Sequence, residues 1–206
     1  FAAVAMTGAA QAAATAGIIT PTGVTGDSNL NGSYHVNFTI DGSGLSDSGN
    51  SGDILNETHI NGNAGGNLTW LSASGNRPTI TIDFDLGGTF DVDSVHLWNW
   101  TYNSATNTRG VTSMDISFSS NGGTTFSNTL QDVAFTPYPL PANTTSATSE
   151  TQTFAAVNGV THIRLTDINN ALDPGDAYVG FSEIRFGEAV PEPSTTALLG
   201  LGGLAL

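Results

Sequence analysis

Ile80, Ile82, Phe84 and Leu86 occupy every second position of the segment TITIDFDLG, with Thr81, Asp83 and Asp85 between them. A period of two puts the apolar side chains on one face of an extended chain, whereas a helix repeats its faces every 3.6 residues. The same alternation in Val36, Phe38 and Ile40 predicts a strand ending at Asp41-Gly42. Val111 to Ser119 alternates too, and the Asn121-Gly122-Gly123 that follows predicts a hairpin, because such turns want positive φ. Residues 160–166 and 178–186 complete the series, and no amphipathic helical run appears between residues 15 and 190. These runs predict roughly eight half-buried antiparallel strands in one sandwich or jelly roll over residues 17–187.

A chain of 206 residues is little more than one domain long. Its ten Phe and three Trp supply apolar area for one core, which excludes wholesale disorder. Cys is absent, so disulfides, thiolate zinc sites and Cys nucleophiles are excluded. Four basic residues, Arg77, Arg109, Arg164 and Arg185, face 18 acidic ones, a formal net charge of −14. So negative a surface repels phosphate backbones, and no nucleic-acid partner is expected; metal cations remain compatible with it.

The ends have a different character. Residues 1–14 read FAAVAMTGAAQAAA, a small apolar run with Ala-x-Ala steps, which is read as the remnant of a secretory signal peptide. Val190-Pro191-Glu192-Pro193-Ser194-Thr195, followed by Leu, Gly and Ala repeats, resembles the PEP-CTERM sorting signal of Gram-negative bacteria. In that family the motif precedes a membrane helix and a basic tail and is processed by an exosortase. The resemblance implies export to the cell envelope or extracellular matrix, with an exosortase as partner. The apolar stretch of about ten residues is too short to span a bilayer, so membrane contact is expected only through a truncated segment. The expected division is residues 1–14, a globular domain over 15–189, and a sorting signal over 190–206.

Between the ends, the order of motifs resembles the discoidin or F5/8 type C family. The matching residues are Thr69-Trp70, Ile82-Asp83-Phe84-Asp85-Leu86-Gly87, Val95-His96-Leu97-Trp98-Asn99, Arg109-Gly110-Val111, Asp115-Ile116-Ser117-Phe118-Ser119, His162-Ile163-Arg164-Leu165 and Gly180-Phe181-Ser182-Glu183-Ile184-Arg185-Phe186. This resemblance implies an all-β fold, an antiparallel galactose-binding-like jelly-roll sandwich. Many such domains hold one structural Ca²⁺ between an early Asp-Gly loop and a Glu near the last strand. The matching positions are Asp41 and Glu183. Calcium takes six to eight oxygens, and Asp47, Asp53, Asn67 and Thr69 are further donors in a loop longer than the family usually shows. The alternative is that Asp41 caps a turn and Glu183 pairs with Arg164 or Arg185.

A pyranose presents an apolar face that stacks on a flat ring. Trp98, Trp100 and Tyr102 alternate in Leu-Trp-Asn-Trp-Thr-Tyr; Trp98 is expected in the core, while Trp100 and Tyr102 are candidates for sugar contact or for packing. Asn99, Arg109 and His59 could hydrogen-bond hydroxyls, and Arg109 could equally brace its loop. Asp83 and Asp85 share a strand face expected to be solvated, unlike the cleft-flanking carboxylates of glycosidases, and the four His show no metal-ligand spacing. The sequence therefore points away from an enzyme. It favours a carbohydrate-binding module whose partner is an extracellular polysaccharide or glycan, with a structural surface or matrix protein of the same fold as the alternative.

Overall fold

The computed structural model describes residues 17–59, 68–73, 79–100, 107–138, 148–170 and 177–190. The expected leader over residues 1–14, the sorting motif from Pro191 onward, Asn67 and Tyr102 lie outside them. The strands are β1 (Ile18–Ile19), β2 (Gly23–Gly26), β3 (Trp70–Leu71), β4 (Ile82–Asn99), β5 (Val111–Ser119), β6 (Ser127–Ala134), β7 (Glu150–Asn170) and β8 (Gly180–Glu188). They hydrogen-bond in the order β1-β8-β4-β7-β5-β6, with β2 on β4 and β3 on β8. All strand pairs are antiparallel.

β4 and β7 are the two long strands, and each changes neighbours along its length. Residues 82–85 of β4 lie between β2 and residues 162–165 of β7. Its later part, residues 92–99, lies between β8 and the first half of β7. The register shifts between Asp85 and Ser94, where β-bulges bend the strand as its neighbour on one side changes from β2 to β8. Gly87 makes that bend possible: its φ is +73°, and a Cβ there would stand 2.4 Å from Thr22 Cγ2.

The expected alternation over residues 80–86 is realised, with Ile80, Ile82, Phe84 and Leu86 all buried. Phe84 meets Phe186 edge-on at 5.7 Å and Trp70 meets Phe181 at 5.2 Å, each ring contributing about 1.5–3 kcal/mol by burial. The Asn121-Gly122-Gly123 hairpin forms between β5 and β6, with φ of +71° and +75° at the two glycines.

One expected strand does not form. Residues Val36–Thr39 are a short 3₁₀ turn. Local partners outcompete a ladder there: Val36 N donates to Asn29 Oδ1 at 2.8 Å, Asn37 N to His35 Nδ1 at 3.2 Å, and Thr39 Oγ1 to the Val36 carbonyl at 2.7 Å. Of the two carboxylates expected on the solvated face of this strand, Asp85 is exposed and Asp83 is less so. Asp83 is half-buried and accepts from both Nε and Nη2 of Arg164 at 2.7 Å.

Candidate functional site: the loop over the outer face of β4 and β8

Register decides which side chains of β4 and β8 share a face. Ser94 pairs with Gly187, His96 with Arg185 and Trp98 with Glu183, while Val95 pairs with Phe186 and Leu97 with Ile184. The second set faces the main core. The first set faces away from it, and residues 41–59 fold over that outward face: the indole Nε1 of Trp98 donates to the Glu57 carbonyl at 2.9 Å. Leu45 and His59 form an isolated bridge within this cover and are fully buried.

Glu57 organises the cover. Its carboxylate accepts from the backbone N–H groups of Asp47, Gly49 and Ser51, each at 3.0 Å. Burial opposes the charge of Glu57, but these donors outweigh it and hold the carboxyl below its ordinary value. Sequence reasoning passed over this residue. The signal was available, since Glu57 is the one Glu in the long loop of Gly, Ser, Asn and Asp that precedes Trp70.

Glu183, expected to ligate calcium, is fully buried. One carboxylate oxygen accepts from Arg185 Nη1 and the other from Gly42 N at 3.1 Å. Arg185 also donates to the Ile184 carbonyl at 2.7 Å and to the Ile40 carbonyl at 3.2 Å. Burial pushes the Glu183 carboxyl up to about 8, against the opposing pull of Arg185. Asp41 is exposed, and its Oδ1 caps the turn by accepting from Ser43 N at 2.9 Å. Asp47 and Asp53 are exposed and Thr69 is buried. As placed, the described donors do not fit Ca²⁺: both oxygens of Glu183 and the nearby Ile40 carbonyl already accept hydrogens, and the Arg185 guanidinium is bonded to that carboxyl.

At the end of β4 the expected sugar-contact residues are used internally. Trp100 is 2% exposed, with Tyr34 at 6.2 Å between ring centroids. Asn99 is buried; its Nδ2 donates to the carbonyls of Val111 and Thr136 at 2.8 and 3.3 Å, and its Oδ1 accepts from Val111 N and Trp100 N at 2.8 Å. That amide staples β4 to β5. With His59 buried as well, Arg109 is the described member of the expected set with partial exposure, its guanidinium carbon 4.6 Å from the Tyr178 ring centroid. A parallel bridge between Gly110 and Gly180 sets that pair side by side.

Between the cover and the outward face lies a cleft of about 680 Å³ whose lining includes Ile18, Ile54, Leu55, Ser94, His96 and Gly187. On β5, β6 and β7, Asp115, Asp132 and Asp167 bring carboxylate oxygens within 4.8 Å of one another, a proximity that sequence spacing does not show.

No family model matches the chain, and no curated protein matches it. Solved structures do. CpGH89CBM32-5 from Clostridium perfringens, in complex with GalNAc-β-1,3-galactose, superposes with a TM-score of 0.53 at 14% identity, covering 84% of this chain and 100% of that one. The family 32 carbohydrate-binding module of C. perfringens NanJ, in complex with galactose, gives 0.53 at 15% identity with the same coverage. An F5/8 type C domain from Bacteroides fragilis gives 0.51 at 16% identity, covering 84% and 96%. Antiparallel pairing, two long strands that each change neighbours and these superpositions together make the chain an all-β, galactose-binding-like jelly-roll sandwich of the kind seen in family 32 modules and F5/8 type C domains.

Proposed function

We propose that this chain is a non-catalytic carbohydrate-binding module, exported and held at the cell envelope or in extracellular polysaccharide. The observation that carries the reading is the Arg109–Tyr178 pair, a planar cation stacked on an aromatic ring, half-exposed where β5 and β8 begin. Such a pair sets a flat cation and an aromatic ring side by side at the surface, a combination that matches the amphipathic surface of a sugar. The sugars bound to the two Clostridium modules of like fold support the ligand class. Export rests on the sequence of residues 1–14 and 190–206.

A glycan array with the full chain tests the binding reading. Retention of at least one glycan is expected, and Arg109→Ala should weaken it about tenfold, the loss of one or two polar contacts. The burial of Trp70, Trp98 and Trp100 favours a second reading, a structural matrix protein of the same fold without a small ligand. A blank array across neutral and anionic glycans would select it.

A further inference from the structure

The cover over β4 and β8 leaves one end of their outward face open. Ser94, His96 and Gly187 form the floor of the resulting cleft, and Ile18, Ile54 and Leu55 line its walls. Its volume of about 680 Å³ is within the range of small-molecule sites and exceeds what one sugar ring needs. We infer that this cleft binds one neutral sugar unit, with His96 Nε2 as its fixed hydrogen-bonding anchor, at a site separate from the Arg109–Tyr178 pair.

His96 is 5% exposed, and its Nδ1 is held by Thr151 Oγ1 at 2.8 Å, which fixes the ring. Its Nε2 is buried and has no protein partner. A buried ring nitrogen left unpaired has lost its water without replacement, so a ligand hydroxyl reaching it recovers an interaction the folded chain lacks. Burial holds His96 below its ordinary value, against the opposing pull of Asp93, so the ring meets its ligand neutral.

Gly187 keeps the approach open. A Cβ there would stand 2.0 Å from Ser94 Oγ and 3.3 Å from His96 Nε2. Ser94 Oγ donates to Asp93 Oδ1 at 2.9 Å, leaving its own oxygen to accept from a hydroxyl. The lining contains no cationic side chain, and Asp53 places a carboxylate on it, so sulfated or uronic sugars are repelled. Aliphatic walls suit the C–H face of a pyranose without aromatic stacking.

The inference rests on the carbohydrate-binding reading, and one experiment separates the two. The full chain is titrated calorimetrically with galactose, GalNAc-β-1,3-galactose and galacturonate, using wild type, His96→Ala, Leu55→Arg, Arg109→Ala and Ser120→Ala. Ser120 is exposed and remote from the cleft lining and serves as control. Binding of a neutral sugar, weakened about tenfold or more by His96→Ala and by Leu55→Arg but unchanged by Ser120→Ala, supports the cleft. Leu55→Arg blocks the cleft from the loop side, so the test stands even where His96→Ala fails to fold. Neutral-sugar binding lost in Arg109→Ala yet intact in both cleft variants overturns the cleft and leaves the carbohydrate-binding reading in place. Preference for galacturonate overturns the neutral-ligand assignment, and binding of no sugar overturns both readings.

Discussion

Arg185 and Glu183 stand two residues apart on the outward face of β8, joined from Nη1 to Oε1, with both side chains buried. From this pair one bond runs to the Ile40 carbonyl and another comes from Gly42 N, so the last strand grips the turn that starts the cover. The family resemblance assigns that tie to a metal ion. Here the Arg185 guanidinium makes it, its planar donors reaching two backbone carbonyls and a carboxyl at once.

Breaking this pair on one side should be costly. Arg185→Met leaves a carboxyl and the Ile40 carbonyl without their donor and is expected to lower stability by about 3–5 kcal/mol in urea denaturation. The double variant with Glu183→Leu should recover a large part of that loss, because no buried polar partner is stranded. A single variant within about 1 kcal/mol of wild type would show that the pair does not hold the cover.

Calcium should leave the wild-type melt unmoved. With Arg185 Nη1 and Gly42 N bonded to the two oxygens of Glu183, and burial holding that carboxyl above its ordinary value, the ion finds no free charged oxygen there. Thermal melts in EDTA and in millimolar CaCl₂ are therefore expected to coincide. A shift of several degrees, about 1 kcal/mol or more for a chain this long, would show that the metal displaces the guanidinium.

Stability should fall as pH rises from 4.5 to about 8. Across that window the unfolded chain releases the Glu183 proton, while the folded protein, whose carboxyl is pushed up to about 8, retains it. Glu183→Gln removes this slope, so its denaturation midpoint should be flatter over the same range. Equal slopes in the two proteins would place the titration elsewhere.

Glu57 has the opposite sign. Its folded carboxyl lies below the ordinary 4.5, so the stability it contributes is present above that pH and is lost as pH falls further. Glu57→Gln replaces charged acceptance from Asp47, Gly49 and Ser51 by neutral acceptance at best, at an expected cost of about 1.5–3 kcal/mol. Hydrogen exchange should quicken first at those three amides and at the Trp98 indole, with amides in the middle of β5 unchanged. Uniform acceleration would mean that the cover unfolds only with the core.

Much of the sandwich was legible because period-two burial is a local property. Ile82 to Leu86 and Val111 to Ser119 carry their own face assignment, and Asn121-Gly122-Gly123 carries its own turn. Val36 to Ile40 has the same alternation but became a turn, because a strand also needs a neighbour to pair with and Asn29, His35 and Thr39 offered nearer partners. The first half of β7 escaped notice for the converse reason. Its residues from Glu150 are mostly exposed or half-exposed, with Phe154 and Val157 alone packing on the core, so β4 holds them largely through backbone pairing.

The sequence by itself determined the fold class, the strongly acidic balance of the chain, and the positions of Glu183 and Arg185, because composition and alternation act over a few neighbouring residues. Tertiary structure alone decided what those residues do. The register of β4 on β8 put His96 beside Arg185 and Ser94 beside Gly187, pairings about ninety positions apart in the chain. The fold of residues 41–59 then turned an outward strand face into a buried one and made Trp98 and His59 structural, while Asn99 was taken up by β5 and Trp100 packed beside Tyr34. Burial is set by what the rest of the chain lays over a residue, and no local pattern encodes that.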